Sequence, residues 1–434
     1  MLLTSLLFSL LLSLSASATQ VPFSVGAPST SPLTFQLRHL HATTNTSQIL
    51  FSDVQPGSLS DGLQGDPETY TINTQLIKTH RPSSFASYER AREKAFRWDR
   101  HIKDDGIEEL SWPEDIVMAP NVTDRETLLL LAKMTNNAYA HEDNGREWYD
   151  LGKQWNTSFP FGWEQDGDGF RGHIFATPDN STVVISIKGT SAGLLGGGGP
   201  TTKKDKLNDN LLFSCCCARV SFTWSTVCGC YAGGSKCDQN CVEASLVDDS
   251  LFYPIGTNLY NNVSYMYPDS NIWVIGHSLG GALASLIGVT FGSPVVAFEA
   301  PGERMAAGRL HLPSPPSTHH VTHVYHTADP IAMGTCNGAL SSCAIAGYAM
   351  ESRCHLGQSI IYDTVTQWGW AVDIRLHPIR IIVEKLLAQD WPIPPGSPPD
   401  NTTILSKVPE PKPEDDCVEC FAWEYGDFLD PGNW

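Results

Sequence analysis

Charge is scarce in this chain, and positive charge scarcest. Only 17% of its residues are charged, and 28 Lys and Arg stand against 47 Asp and Glu, a net charge of −19. That balance excludes nucleic acid as a partner and electrostatic recruitment to anionic membranes, so any membrane contact must be apolar. Long apolar runs are also lacking. The N-terminal run 2–14 is uncharged and Leu- and Ser-rich but short, whereas a membrane helix needs ~20 residues. No Lys or Arg precedes Arg38, so the segment has no basic flank. There is no internal repeat and no H-G-G-G oxyanion motif, and the cysteine cluster has no paired C-x2-C knuckles.

What is present points to the secretory pathway. Ala16-Ser17-Ala18 offers an A-x-A cleavage site after the apolar run, so residues 1–18 read as a signal peptide or signal anchor. N-x-S/T sequons begin at Asn45, Asn121, Asn156, Asn180, Asn262 and Asn401, candidate glycosylation sites. The chain has 12 cysteines, which suits an oxidising lumen. Seven crowd into 215–241: Cys215, Cys216, Cys217, Cys228, Cys230, Cys237 and Cys241. Their spacing favours disulfides over zinc, and no metal site or cofactor is expected. Cys417 and Cys420 form a C-x-x-C in a polar tail, where a local disulfide is expected rather than a redox pair.

The most informative residues are Gly276-His277-Ser278-Leu279-Gly280-Gly281. The apolar run Ile272 to Ile275 precedes them and the small-residue run Ala282 to Ile287 follows. This is G-x-S-x-G between a strand and a helix, a nucleophile elbow. The fold class that follows is α/β, an α/β-hydrolase fold. A Cys-rich, loop-rich insertion is expected between the oxyanion strand and the elbow.

A serine hydroxyl needs a base, and the base needs an orienting carboxylate. In this fold the chain order is Ser, acid, His. Asp329 ends the strand-like run His320 to His326 and precedes Pro330, so it is the preferred acid, with Glu299 its rival. Only His355 and His377 follow Asp329. His377 is preferred because it abuts the helix expected to start at Pro378, whose apolar stripe is Ile379, Ile382, Val383, Leu386 and Leu387. The oxyanion donors are expected to be the N–H of Leu279 and, after the strand 182–188, Gly189-Thr190 with Thr190 donating.

Along the chain, 19–120 reads as a polar N-terminal lumenal region. Within it 84–104 is charged and partly helical, and His39 and His41 read as surface residues. The hydrolase domain is expected over 121–390, opening with a capping box, Thr123 to Glu126, and a helix carrying Leu130, Leu131, Met134 and Ala138. Strands are expected at 169–177, 182–188 and 294–298. The insertion spans 191–250. Gly193 to Gly199 would hinge it, and Leu194, Leu195, Leu211, Leu212 and Phe213 would touch lipid if it is a lid. The Pro-rich acidic segment 391–434 reads as a disordered tail.

Together these elements resemble the class 3 lipases, which combine a Gly-Ser/Thr oxyanion motif, a lid, G-H-S-L-G-G-A and an F-G-x-P-like segment, here Phe298-Glu299-Ala300-Pro301. The resemblance covers about 121–390. Within that family the Cys-rich insertion, the secretory signal and the Cys354-His355 segment are most similar to the fungal autophagy-related vacuolar lipases. The resemblance implies Ser278, Asp329 and His377 as charge-relay residues and a lipid or membrane substrate. It also implies delivery through Golgi and multivesicular bodies, as a glycosylated single-pass type II protein, to the vacuole, where membranes of autophagic bodies are degraded. No obligate protein partner is implied. Two other readings remain: an esterase or peptidase of the same fold with a soluble substrate, and a non-catalytic lipid-binding module.

Overall fold

The computed structural model describes residues 36–43, 49–53, 72–99, 110–140, 148–149, 151, 169–177, 179–190, 202–217, 227–249, 252–338, 340–389, 391 and 408–430. The apolar run 2–14, the A-x-A site, Asn45, Asn156, Asn401, Gly193 to Gly199, Leu194 and Leu195 lie outside them.

In chain order the main elements are β1 (Gln36–Thr43), β2 (Ile49–Asp53), β3 (Thr74–His80), α1 (Phe85–Asp99), β4 (Glu114–Pro120) and α2 (Arg125–Asn137). Then come β5 (Gly172–Ala176), β6 (Thr182–Ile187), α3 (Thr202–Leu212), β7 (Tyr231–Gly233), β8 (Lys236–Asp238) and α4 (Gln239–Asp249). The elbow region follows with α5 (Phe252–Met266), β9 (Asn271–His277), α6 (Leu279–Phe291), β10 (Val295–Phe298), α7 (Arg304–Arg309) and β11 (Val321–His326). The chain closes on β12 (Gln358–Tyr362), β13 (Lys412–Pro413) and β14 (Glu424–Gly426).

Nine strands form one sheet in the order β13-β12-β11-β10-β9-β6-β5-β1-β2. Its centre, β6-β9-β10-β11-β12, is parallel, and its flanks are antiparallel. The centre is apolar on both faces because helices cover both. Successive side chains of β9 show it. Ile272 and Val274 enter the core formed with α5 and α6, while Trp273 and Ile275 enter the core formed with α2 and the last helix. Parallel strands joined by helices, with a serine elbow between β9 and α6, make this an α/β-hydrolase fold.

The folded body starts before 121, the boundary drawn from composition. Trp273 Nε1 donates to Met118 O on β4 at 2.8 Å, and Thr79 Oγ1 on β3 donates to Gly292 O at 2.8 Å. Phe85 of α1 stacks on Phe291 of α6 with centroids 5.2 Å apart. Polar composition hid this segment because it buries isolated anchors rather than a continuous apolar face. At α2 the cap is Asp124 rather than Thr123: its carboxylate accepts from Thr127 N at 3.0 Å. Pro378 stands at the cap of the last helix instead of its first turn. That helix runs Ile379–Ile381 and continues as a π-helical turn, Ile382–Leu386, burying Ile379, Ile382, Val383, Leu386 and Leu387.

The insertion is less loop-like than its composition suggests, since it contains α3, α4 and the β7–β8 hairpin. Leu211, Leu212 and Phe213, expected to meet lipid, are wholly buried in the core. All twelve cysteines are paired: Cys216–Cys237, Cys217–Cys228 and Cys230–Cys241 within the insertion, Cys336–Cys343, and two bonds from the tail. The expected local bond between Cys417 and Cys420 does not form. Cys417 pairs with Cys354 and Cys420 with Cys215. Residues 408–430 are therefore ordered structure and no disordered tail: β13 joins the sheet beside β12, and β14 pairs with β8. Among the described residues no helix is long and apolar enough to cross a membrane.

Candidate active site

Three parallel strands deliver their C-terminal ends to one place. Ser278 directly follows β9, Glu299 directly follows β10, and β11 leads to Asp329. The turn after β9 holds Ser278 at φ 57°, a left-handed conformation that puts its side chain above the sheet. Only glycine fits around it. A Cβ on Gly276 would stand 2.3 Å from Gly280 O, and one on Gly280 would stand 2.3 Å from Ile187 O. The G-x-S-x-G pattern is thus imposed by the close approach of β9, α6 and β6 to one another.

Ser278 Oγ donates to His377 Nε2 at 2.9 Å, and His377 Nδ1–H donates to Asp329 Oδ2 at 2.7 Å. The other oxygen of Asp329 accepts from Ile331 N at 2.9 Å. Asp329 is fully buried, while Ser278 is 6% exposed and His377 9% exposed, so exposure rises along the line from the carboxylate to the serine and histidine. Burial alone would raise the Asp329 carboxyl; the facing His377 overrides this and holds it well below the usual carboxylate range. His355, the alternative base, is committed elsewhere: Nδ1 bonds Glu414 Oε1 at 2.9 Å and Nε2 bonds Ala300 O at 3.0 Å.

Of the expected oxyanion donors, Leu279 N–H lies in the first turn of α6, where helix geometry supplies no acceptor. Thr190 Oγ1 is tied to Asp209 Oδ2 of α3 at 2.6 Å. Burial is the main cause that pushes the Asp209 carboxyl up to about 8.

Sequence reasoning passed over two supporting residues. His277 Nε2–H donates to His377 O at 2.9 Å, which leaves Nδ1 as acceptor for Tyr139 OH at 2.6 Å. Tyr139 OH in turn accepts Gly189 N–H at 2.9 Å. Burial, then the neighbouring His377, lowers the His277 imidazole to about 3, so it stays neutral. These hydrogen bonds tie the Gly189 loop after β6 to the loop carrying His377. His277 sits inside the elbow motif, but nothing in the motif indicates its acceptor. Of the sequons, Asn180 and Asn262 are exposed and Asn121 is half-buried, its Oδ1 accepting from Thr123.

The fold and the Ser–His–Asp arrangement define a serine hydrolase-like site of the α/β-hydrolase class. The family described as Lipase (class 3) matches residues 244–292. A protein of Cryptococcus neoformans var. neoformans serotype D (strain B-3501A), named "Putative lipase ATG15", is 41% identical over 94% of this chain and 96% of its own length. Proteins of the same name are 56% identical in Mycosarcoma maydis (65% of this chain, 56% of that protein) and 47% identical in Saccharomyces cerevisiae (strain ATCC 204508 / S288c; 73% and 59%). The chain belongs to the ATG15 family of lipases. It is a lipase-type hydrolase. Among solved structures, nonglycosylated LIP2 lipase of Yarrowia lipolytica is 16% identical with a TM-score of 0.30, covering 55% of this chain and 81% of that one. The fold assignment rests on the sheet and elbow instead.

Proposed function

We propose that Ser278, His377 and Asp329 are the charge relay of a lipase that cleaves acyl esters of phospholipids and acylglycerols. The continuous hydrogen-bonded line from Ser278 Oγ through His377 to buried Asp329 carries this reading. His377 Nε2 takes the Ser278 proton as Oγ attacks the ester carbonyl. The N–H of Leu279 and the Thr190 segment stabilise the oxyanion. His377 then returns the proton to the departing alcohol, and water, activated by the same imidazole, releases a fatty acid from the acyl-serine. Asp329 holds the tautomer and balances the imidazolium.

The proposed setting is the vacuole lumen, where the enzyme breaks down membranes of autophagic and multivesicular bodies. It would arrive through the Golgi and multivesicular body membrane, anchored by the apolar run 2–14 and glycosylated at some of the six sequons. The similarity to ATG15 lipases, the sequons and six disulfides support this. Vacuoles isolated from cells carrying Ser278→Ala in place of the wild-type chain test it. Intact autophagic bodies should accumulate in the mutant, whereas their normal disappearance would refute the role. Endoglycosidase digestion and alkaline extraction test the glycan and anchor parts separately.

A further inference from the structure

The residue that competes with Asp329 for the acid's role is not idle. Glu299 directly follows β10 at φ 43°, a left-handed conformation uncommon for a residue with a long side chain. Its carboxyl is fully buried. Oε1 accepts the N–H of His326 at 3.1 Å. Among the described residues no N–H or hydroxyl donates to Oε2, and beyond His326 the carboxyl's hydrogen-bond partner is the carboxyl of Asp329. Two carboxyl groups in contact inside a dry core cannot both ionise, so one of them keeps a proton.

The surroundings decide which. Asp329 receives two donors, His377 Nδ1–H and Ile331 N–H, and both favour its charged form. Glu299 receives one. The nearest imidazole to Glu299, His326 Nε2 at 3.8 Å, spends its hydrogen on Leu376 O at 3.2 Å and supplies no cation. Tyr325, on the same strand, is the remaining titratable neighbour and is neutral.

We propose that Glu299 is a positioning residue of the active site: as a neutral acid it donates Oε2–H to the Asp329 carboxylate, holding it in place for His377. The consequence is chemical as well as geometric. Sharing the Asp329 charge with Glu299 disfavours protonation of Asp329 and weakens its hold on an imidazolium, so the relay remains in its working protonation state to lower pH. Burial first, and then the facing Asp329, push the Glu299 carboxyl well above the ordinary range, in agreement with a retained proton. The inference rests on the charge-relay reading above.

The test compares full-length wild type with Glu299→Gln, whose amide still donates, and with Glu299→Leu and Glu299→Gly, which do not. Glycine also accepts the left-handed backbone, so the donor-free pair does not depend on a strained substitution, and thermal melting of each variant checks its fold. The acid limb of kcat/KM on a short-chain ester should move up by about one pH unit in Leu and Gly, the scale of one hydrogen bond to a carboxylate. In Gln it should stay where it is. An unmoved limb in the donor-free variants, or a limb in Gln displaced as far as theirs, overturns the proposal. A second readout does not need turnover. In a Ser278→Ala background, the infrared carbonyl band of protonated carboxyls at neutral pH should lose one component on Glu299→Gln; no loss overturns the proposal. If Ser278→Ala itself turns over ester, the charge-relay reading fails, while the infrared result still reports on Glu299.

Discussion

At Asp329, one carboxylate oxygen orients an imidazole and the other is fixed by a backbone amide. Replacing it by asparagine keeps the shape but presents a neutral group to His377. Asp329→Asn should cut kcat by roughly 10³–10⁴ with little change in KM, since only the transition state carries the imidazolium. A loss below tenfold in steady-state kinetics would remove Asp329 from the relay. Asp209 makes a second residue-scale prediction. A buried carboxyl raised to about 8 holds its proton in the fold after the unfolded chain has lost it. Its contribution is fully present below the unfolded value near 4 and is lost as pH rises through 8. Asp209→Asn carries no such loss. The thermal midpoint of the variant minus that of wild type should therefore increase from pH 4 to pH 8, and a difference independent of pH would contradict it. The elbow was legible at this scale because its signal is local: five residues state the turn and the clash that requires glycine. The acid was only half legible. Chain order offered Asp329 and Glu299, and both turn out to face one another, which no one-dimensional pattern encodes.

Among the elements, the segment 408–430 matters most. It reads as a tail by composition, yet it lays β13 on the sheet and β14 on the insertion hairpin. Glu414 shows how it is locked. Its carboxylate accepts from His355 at 2.9 Å, Ser359 at 2.6 Å and Tyr325 at 2.7 Å. Sequence could not disclose this, because the partners of Cys417 and Cys420 lie 63 and 205 residues away. The bond Cys215–Cys420 closes the longest of the loops. Replacing both cysteines by serine should cost about 2–5 kcal/mol, seen as a lower thermal midpoint and as earlier proteolytic cutting within 408–430. Unchanged stability would mean that the tail is held by β13 and Glu414 alone. The insertion carries the same lesson. Leu211, Leu212 and Phe213 were expected to touch lipid if the insertion is a lid, but the end of α3 and the residue after it turn them into the core.

The whole molecule combines a buried parallel sheet, six disulfides and a net negative charge. The parallel strands β6, β9, β10 and β11 and the antiparallel β5 were legible as short apolar-rich runs, whereas β12 and the outer strands β1, β2 and β13 were not, since they lie in stretches whose polar residues mimic loops. Disulfides join the insertion, the tail and the hydrolase body to one another, which limits local opening of the surface segments. Under the proposed function, a net charge of −19 disfavours electrostatic recruitment to anionic lipid and favours apolar contact. Neutral vesicles should accordingly be cleaved at least as fast as anionic ones at equal area, and rates that rise with anionic lipid content would contradict that view. The most direct measurement compares fatty-acid release by folded wild type and Ser278→Ala on phospholipid and triacylglycerol vesicles, with covalent labelling by a serine-hydrolase probe in parallel. Release and labelling by the wild type, both lost in Ser278→Ala, are the expected result. Equal release by the two proteins would contradict the assignment of Ser278 as the nucleophile.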